Sequence, residues 1–275
     1  METADRQSMD VDIACAGFGP AMGGFLATLS RSLVDENGAP LVESAAMPGM
    51  PPQIICYERA DDIGFGVSGV VTQARAIRAT FPDLDPAHIP MAAPVTHEKV
   101  LYLLDPIGAS RRSSMLRLGD IAIRALRAAL PYEHNAMDLP YLPPFLRKDG
   151  GILFSMGQFT QWVGAQVMGS GLVQVWPGTP VAGPILEDGR VAGLRLIDQG
   201  TDKQGNPAPG FMPGMDIRAA LTVVGDGPVG AVGQQLDQHF GLPEGHHQRE
   251  WAVGMKAVID LRADCGLEPG MVLHT

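Results

Sequence analysis

Between Val11 and Gly24 the chain runs V-D-I-A-C-A-G-F-G-P-A-M-G-G. Apolar residues suited to a buried strand lead into Gly17 and Gly19, and helix-forming sequence follows. This layout seats the pyrophosphate of a dinucleotide. Gly17 makes the tight turn, Gly19 lets the backbone approach the phosphates, and the amides at the helix start carry partial positive charge. Pro20 fits the first helical position, where its missing N–H costs little, and Ala21 continues the turn. The third glycine of G-x-G-x-x-G serves helix-to-strand packing; here Met22 holds that place, with Gly23 and Gly24 one and two positions late. A plain strand-to-helix turn is the alternative for this motif taken alone.

Two further clusters have matching chemistry. Gln53-Ile54-Ile55-Cys56-Tyr57-Glu58 reads as a second buried strand ending on a carboxylate 39 residues after Gly19. An acid there accepts hydrogen bonds from ribose hydroxyls; a solvated strand-end acid is the alternative. The usual spacing is about 20 residues, and the polar, Gly/Pro-rich stretch Asp35 to Pro52 accounts for the excess as a surface loop. Near the other end, the strand Ile217 to Val224 runs into Gly225-Asp226-Gly227-Pro228-Val229-Gly230. Its glycines permit close passage of backbone, and its acid suits the polar part of a flavin dinucleotide; an unliganded turn explains the same residues.

The remaining sequence supplies the elements that must position these clusters. The glycine-rich stretch Asp61 to Val71 suits backbone running against a flat ligand. Ala74 to Phe81 reads as a short helix stopped by Pro82, and Lys99 to Leu104 as a strand. From Leu116 to Leu130 the apolar residues share one helical arc and Arg117, Arg124 and Arg127 another. A core-packed helix with solvated arginines is the favoured reading, and docking on an anionic membrane surface the other. Ile152 to Ser155 reads as a strand, Gln158 to Val167 as a helix, and Val173 to Trp176 as a further parallel strand. Val181 to Leu186 and Val191 to Ile197 form a hairpin around Asp188-Gly189. Asp198 to Gly214 reads as a loop, a helix runs to Phe240, and Trp251 to Asp260 reads as a returning strand. His246 and His247 fall in an exposed loop without further ligands at metal spacing.

Composition bounds the reading. The 275 residues, 45% hydrophobic and 18% charged, suit a soluble globular protein with a substantial core. A formal charge of −10 argues against nucleic acid as a partner. No run approaches the roughly 18 apolar residues of a membrane span, and the start lacks the blocks of a secretory signal. The expected setting is intracellular, either cytoplasmic or peripheral on the inner membrane face. Three dispersed cysteines, Cys15, Cys56 and Cys265, suggest core thiols rather than a disulfide framework or metal site.

Taken together, the chain resembles the electron transfer flavoprotein:ubiquinone oxidoreductase family. The resemblance begins at Arg6 to Asp10 and continues through Tyr57-Glu58-Arg59, Ile63-Gly64, Ser68-Gly69, Phe81-Pro82-Asp83, Ala93 to Thr96 and the approach from Pro143-Pro144 to Ser155. Its most specific part is Gly189 to Gly193, then Asp202 to Pro207, then Phe211 to Met215; Pro269 to Thr275 also looks like a family segment. Arg147-Lys148-Asp149 departs from a histidine-containing family stretch, and residues 111 to 139 look inserted.

The resemblance implies an α/β, glutathione-reductase-like FAD-binding fold of Rossmann type, with an inserted β-meander and a mixed α+β portion. Residues 1–110 and 151–240 would form the dinucleotide-binding core of one domain over 1–275. Residues 111–150 would be an inserted helix and Pro-rich connection, and 241–275 the start of a substrate or quinone portion. FAD is the implied cofactor. Its binding set would be Gly17, Gly19, Pro20, Ala21, Glu58, Arg59, Ser68, Gly69, Gly225, Asp226 and Gly227, with Ser68 and Gly69 near the flavin. In the family, the stretch corresponding to about Val67 to Phe81 belongs to a membrane-surface patch. The implied reaction takes electrons from reduced electron transfer flavoprotein through FAD and a 4Fe-4S cluster to ubiquinone. Three scattered cysteines cannot supply four cluster ligands, and Thr275 precedes the family's quinone and cluster segments. A partial member carrying the FAD side is therefore expected, with a partner chain as one source of the rest. The alternatives are a non-catalytic interaction subunit, motivated by Met22, the replaced polar stretch at Arg147-Lys148-Asp149 and the inserted basic helix, and an NAD(P)H-dependent flavoprotein reductase, for which a second complete fingerprint is missing.

Overall fold

The computed structural model describes residues 6–65, 68–104, 113–126, 128–130, 132–133, 135–241 and 254–275. The chain divides into two compact units. The first comprises residues 1–68, 76–83 and 155–258, and the second 69–75, 84–154 and 259–275.

The first unit is built on a six-stranded sheet. Strand β1 (Ser8–Ala16) pairs in parallel with Asp216–Val224 on one side and with β2 (Ile54–Tyr57) on the other. Val173–Trp176 continues the parallel order beyond β2. The hairpin Val181–Glu187/Arg190–Leu196 joins the far edge, antiparallel to Asp216–Val224. Helix α1 (Pro20–Ser32) follows β1 directly and buries Met22, Gly23, Leu26 and Ala27. The helix Met156–Gly169 packs beside it and buries Phe159, Val163 and Val167. A core of Ala14, Ala16, Ile55, Tyr57, Leu194 and Ile217 also takes in Val232 from the helix Ala231–Phe240. Parallel strands joined through helices, with an antiparallel meander at one edge, give the expected Rossmann-type FAD-binding architecture.

The expected surface loop from Asp35 to Pro52 is held by one side chain. Asp12 accepts hydrogen bonds from Ser44 Oγ (2.6 Å) and from the amides of Ala45 (2.6 Å), Ala46 (3.1 Å) and Gln53 (2.7 Å). Burial works against its charge, but these bonds outweigh it and hold the carboxyl below its ordinary value. The residues that widen the spacing between Gly19 and Glu58 are thus anchored on β1.

The second unit contains the sheet of Met271–His274, His97–Leu103, Ala136–Leu139 and Tyr132–Glu133, and a three-stranded sheet of Gly69–Thr72, Ile152–Ser155 and Ala93–Pro94. Its helix, Ser114–Ala125, corrects the core-packed reading. Only Asp120 is buried, with the Tyr102 hydroxyl donating to it at 2.8 Å, while Leu118 and Ile121 are 68% and 63% exposed. The arc that turns inward is the one carrying the acid.

Two other expectations change. Asp198 to Gly214 is not one loop, because Gln199–Thr201 pairs with Pro207–Met212. Asp202 causes this: its carboxylate accepts the amides of Gln204 (2.9 Å) and Asn206 (2.8 Å) and folds the polar run into a tight turn. Trp251 to Asp260 is not a strand where it is described, since residues 254–260 are exposed and unpaired in any sheet. Trp251, His246 and His247 lie outside the described residues, as do Arg127, Gly66 and Val67. No described helix is long and apolar enough to cross a membrane.

Candidate functional site

The register of the parallel strands brings the sequence-predicted clusters together. Ala16 pairs with both Val224 and Tyr57, so Gly17, Gly225 and Glu58 leave the sheet side by side. Gly225 N donates to Ala16 O at 2.9 Å and Gly17 N to Tyr57 O at 2.8 Å, continuing the ladders one step past the strands. This is the carboxyl edge of the parallel sheet at the point where strand order reverses from β1, the place where open α/β sheets bind ligands.

Gly17 has no alternative at its position. Its φ is +83°, and a Cβ there would stand 2.8 Å from Asp226 Cα and from Gly225 O. Gly19 differs: it is the extended N-cap of α1, and a Cβ there would meet nothing within 4 Å. The space beside Gly19 is the room a phosphate would take at the positive end of α1.

Two cavities meet at this glycine. The first, about 220 Å³, is lined by Ala16, Gly17, Gly19, Tyr57, Glu58, Arg59, Pro180, Val181, Gly225 to Gly227 and Gly230 to Val232. The second, about 270 Å³, is lined by Phe18, Gly19, Pro20, Glu58, Ala60, Asp62, Gly64, Phe65, Ser68, Met156, Gly157 and Thr160. Both share Gly19 and Glu58, so they flank a single turn of backbone. Of the predicted set, only Ala21 and Gly69 line neither. Two larger hollows lie elsewhere, one of about 560 Å³ at Asp10 and the Glu187–Arg218 ion pair and one of about 600 Å³ at Ala27 and Arg31; neither includes a glycine cluster from the sequence reading.

The two acids already have structural work. Glu58 Oε2 accepts the amide of Phe18 at 2.7 Å and Oε1 that of Ala60 at 2.8 Å, which ties the glycine turn to the end of β2. Each carboxylate oxygen has further acceptor capacity for a ligand hydroxyl. Asp226 Oδ2 accepts the amides of Val232 (2.9 Å) and Gly233 (3.2 Å), placing a negative charge at the start of the helix Ala231–Phe240.

Sequence reasoning missed two residues here. Tyr57, 1% exposed, lines the first cavity and meets Trp176 edge-on at 5.8 Å. Its hydroxyl is buried with no hydrogen-bond partner among the described residues. A tyrosine directly before a strand-end acid was the available signal. Lys256 donates to Ser68 Oγ, bringing a cation to the wall of the second cavity from a segment with no motif of its own. Among the described residues no group of three or more His, Cys, Asp or Glu is placed to hold a metal ion. Cys15 and Cys56 are buried neighbours on β1 and β2; burial pushes the Cys15 thiol up to about 12 and raises Cys56 further.

No protein-family model matches the chain. It is similar to the electron transfer flavoprotein-ubiquinone oxidoreductase of Pseudomonas aeruginosa, at 26% identity over 274 residues covering 98% of this chain and 43% of that protein. The mitochondrial protein of Bos taurus is 28% identical over 275 residues, covering 98% and 38% respectively. Among solved structures, a geranylgeranyl bacteriochlorophyll reductase-like protein of Thermoplasma acidophilum aligns at 15% identity with a TM-score of 0.47, over 82% of this chain and 42% of that one. The chain spans about two fifths of the length of the curated relatives it matches. From end to end it is similar to electron transfer flavoprotein-ubiquinone oxidoreductases, as its sequence motifs imply.

Proposed function

We propose that this chain holds FAD and forms the FAD-side part of a flavoprotein oxidoreductase of the electron transfer flavoprotein-ubiquinone oxidoreductase kind. The observation that carries the proposal is the convergence of Gly17, Gly19, Glu58 and Gly225 on one crevice at the switch point of the parallel sheet. The residues fit the cofactor through the open space at Gly19 where a Cβ would stand; Tyr57, whose buried hydroxyl has no partner among the described residues, also lines the crevice.

In this reading the N-terminus of α1 holds the diphosphate and Gly19 admits it. Glu58 fixes the turn through Phe18 and offers its spare lone pairs to the ribose. Arg59, Gly225 and Gly227 complete the wall of the adenosine side, and Ser68, which accepts a hydrogen bond from Lys256, borders the other cavity. When bound, FAD supplies hydride and single-electron chemistry, and the protein supplies binding, orientation and electrostatics. Electron transfer flavoprotein as donor and ubiquinone as acceptor are carried over from the names of the relatives. The three cysteines do not fit a four-cysteine cluster, so no step through such a cluster is assigned to this chain.

The test is reconstitution. Purified protein incubated with FAD and then desalted should retain about one flavin per chain, with a raised melting temperature. Absence of both retained absorbance and a thermal shift would overturn the proposal.

A further inference from the structure

Tyr57 is placed where an apolar residue would complete the strand end without penalty. Its ring is almost entirely buried among Ile55, Leu194, Ile217 and Val232, yet its hydroxyl has lost water and gained no partner among the described residues. Such a group destabilises the folded protein, and a native hydroxyl left this way needs an explanation. The same residue forms part of the cavity wall that includes Gly17, Glu58, Arg59 and Gly225.

We propose that Tyr57 is a ligand-binding residue of the dinucleotide site, its phenol donating a hydrogen bond to the adenosine diphosphate half of the ligand. The assignment rests on the FAD reading above. The adenosine diphosphate half is the acceptor-rich part of that ligand, and the cavity bounded by Tyr57 also contains the acid suited to the ribose and the glycines suited to the diphosphate. The phenol is already dehydrated and its ring already held by Trp176, so little hydration or rotamer freedom remains to be lost when the bond forms. A small side-chain adjustment of the wall brings ligand and hydroxyl together, the ordinary scale of change on binding.

The experiment compares wild-type protein with Tyr57→Phe, which keeps the ring, by calorimetric titration with FAD and with ADP and by melting of the ligand-free proteins. Tyr57→Phe should bind both ligands about five- to tenfold more weakly, while its ligand-free form melts about 2 to 4 °C higher because the orphaned hydroxyl is gone. These opposite signs are not expected of a merely structural tyrosine. Equal affinities of the two proteins for FAD and ADP would overturn the assignment and leave the FAD reading standing. Weaker binding with a lower melting temperature would mark general loosening and overturn it as well. A wild-type protein that binds neither ligand would overturn both readings.

Discussion

Met22 on α1 lies in the notch left by Gly225: a Cβ at residue 225 would stand 3.0 Å from Met22 Cε and 3.3 Å from Met22 Cβ. Met22 is 2% exposed. In the usual fingerprint the helix carries the small residue so that it can approach the sheet. Here the helix carries the large side chain and the strand end carries the glycine. Close approach on the helix's other side falls to Gly23, where a Cβ would stand 2.9 Å from Val163 Cγ1. Met22 is therefore a packed partner of the second glycine cluster.

This pairing predicts coupled stabilities. Met22→Ala should cost about 2 to 5 kcal/mol through the cavity it leaves, and Gly225→Ala about 1 to 3 kcal/mol by overpacking. In the Met22→Ala background the added methyl enters vacated space, so the Gly225→Ala cost should largely vanish. Urea unfolding of the four proteins measures this; strictly additive costs would show that the two residues do not share the notch.

Gly17 and Gly19 should part company under substitution. Gly17→Ala places a methyl 2.8 Å from backbone at a φ of +83°, and we expect it to destabilise or abolish the fold. Gly19→Val meets open space on extended backbone and should leave folding nearly intact. Its branched side chain fills the room beside α1, however, and FAD affinity should fall at least about tenfold. Melting curves separate the first effect, and calorimetric titration with FAD reads the second. Unchanged affinity in Gly19→Val would remove that residue from the site.

Much of this arrangement was legible in the sequence because strand-to-glycine-to-helix transitions are local. The strands at Ile152, Val173 and Ile217, the hairpin at Asp188-Gly189 and the clusters at Gly17 and Gly225 follow from short-range pattern. What pattern could not show is set by long-range partners. The anchoring of residues 44–46 on Asp12, the notch for Met22 and the unpartnered Tyr57 hydroxyl all depend on side chains distant in sequence. The helix Ser114–Ala125 misled for a related reason: helical periodicity marks an apolar arc but not whether anything covers it.

Asp12 makes loop anchoring sensitive to acid. Its folded value is lowered, so the stability it contributes is fully present above the unfolded value of about 3.9 and is lost as pH falls through the lower folded value. Asp12→Asn should lower unfolding free energy at neutral pH by about 1 to 3 kcal/mol and flatten the decline as pH falls below about 4. Urea titrations across that range provide the measurement. A variant whose acid decline matches the wild type would assign that decline to other carboxylates.

Glu58 joins folding to binding, because the carboxylate suited to the ribose also holds the Phe18 amide at 2.7 Å and the Ala60 amide at 2.8 Å. Removing it acts before any ligand arrives. Glu58→Ala should destabilise the ligand-free protein by about 1 to 3 kcal/mol, since two amides near the crevice lose their acceptor. Glu58→Gln keeps one carbonyl acceptor and turns the other group into a donor, so it should retain part of that stability while still weakening FAD binding. Melting of the ligand-free variants and FAD titration, done on the same samples, divide the two roles. If Glu58→Ala weakened FAD binding without lowering ligand-free stability, the carboxylate would serve the ligand alone and the bonds to Phe18 and Ala60 would be dispensable to the fold.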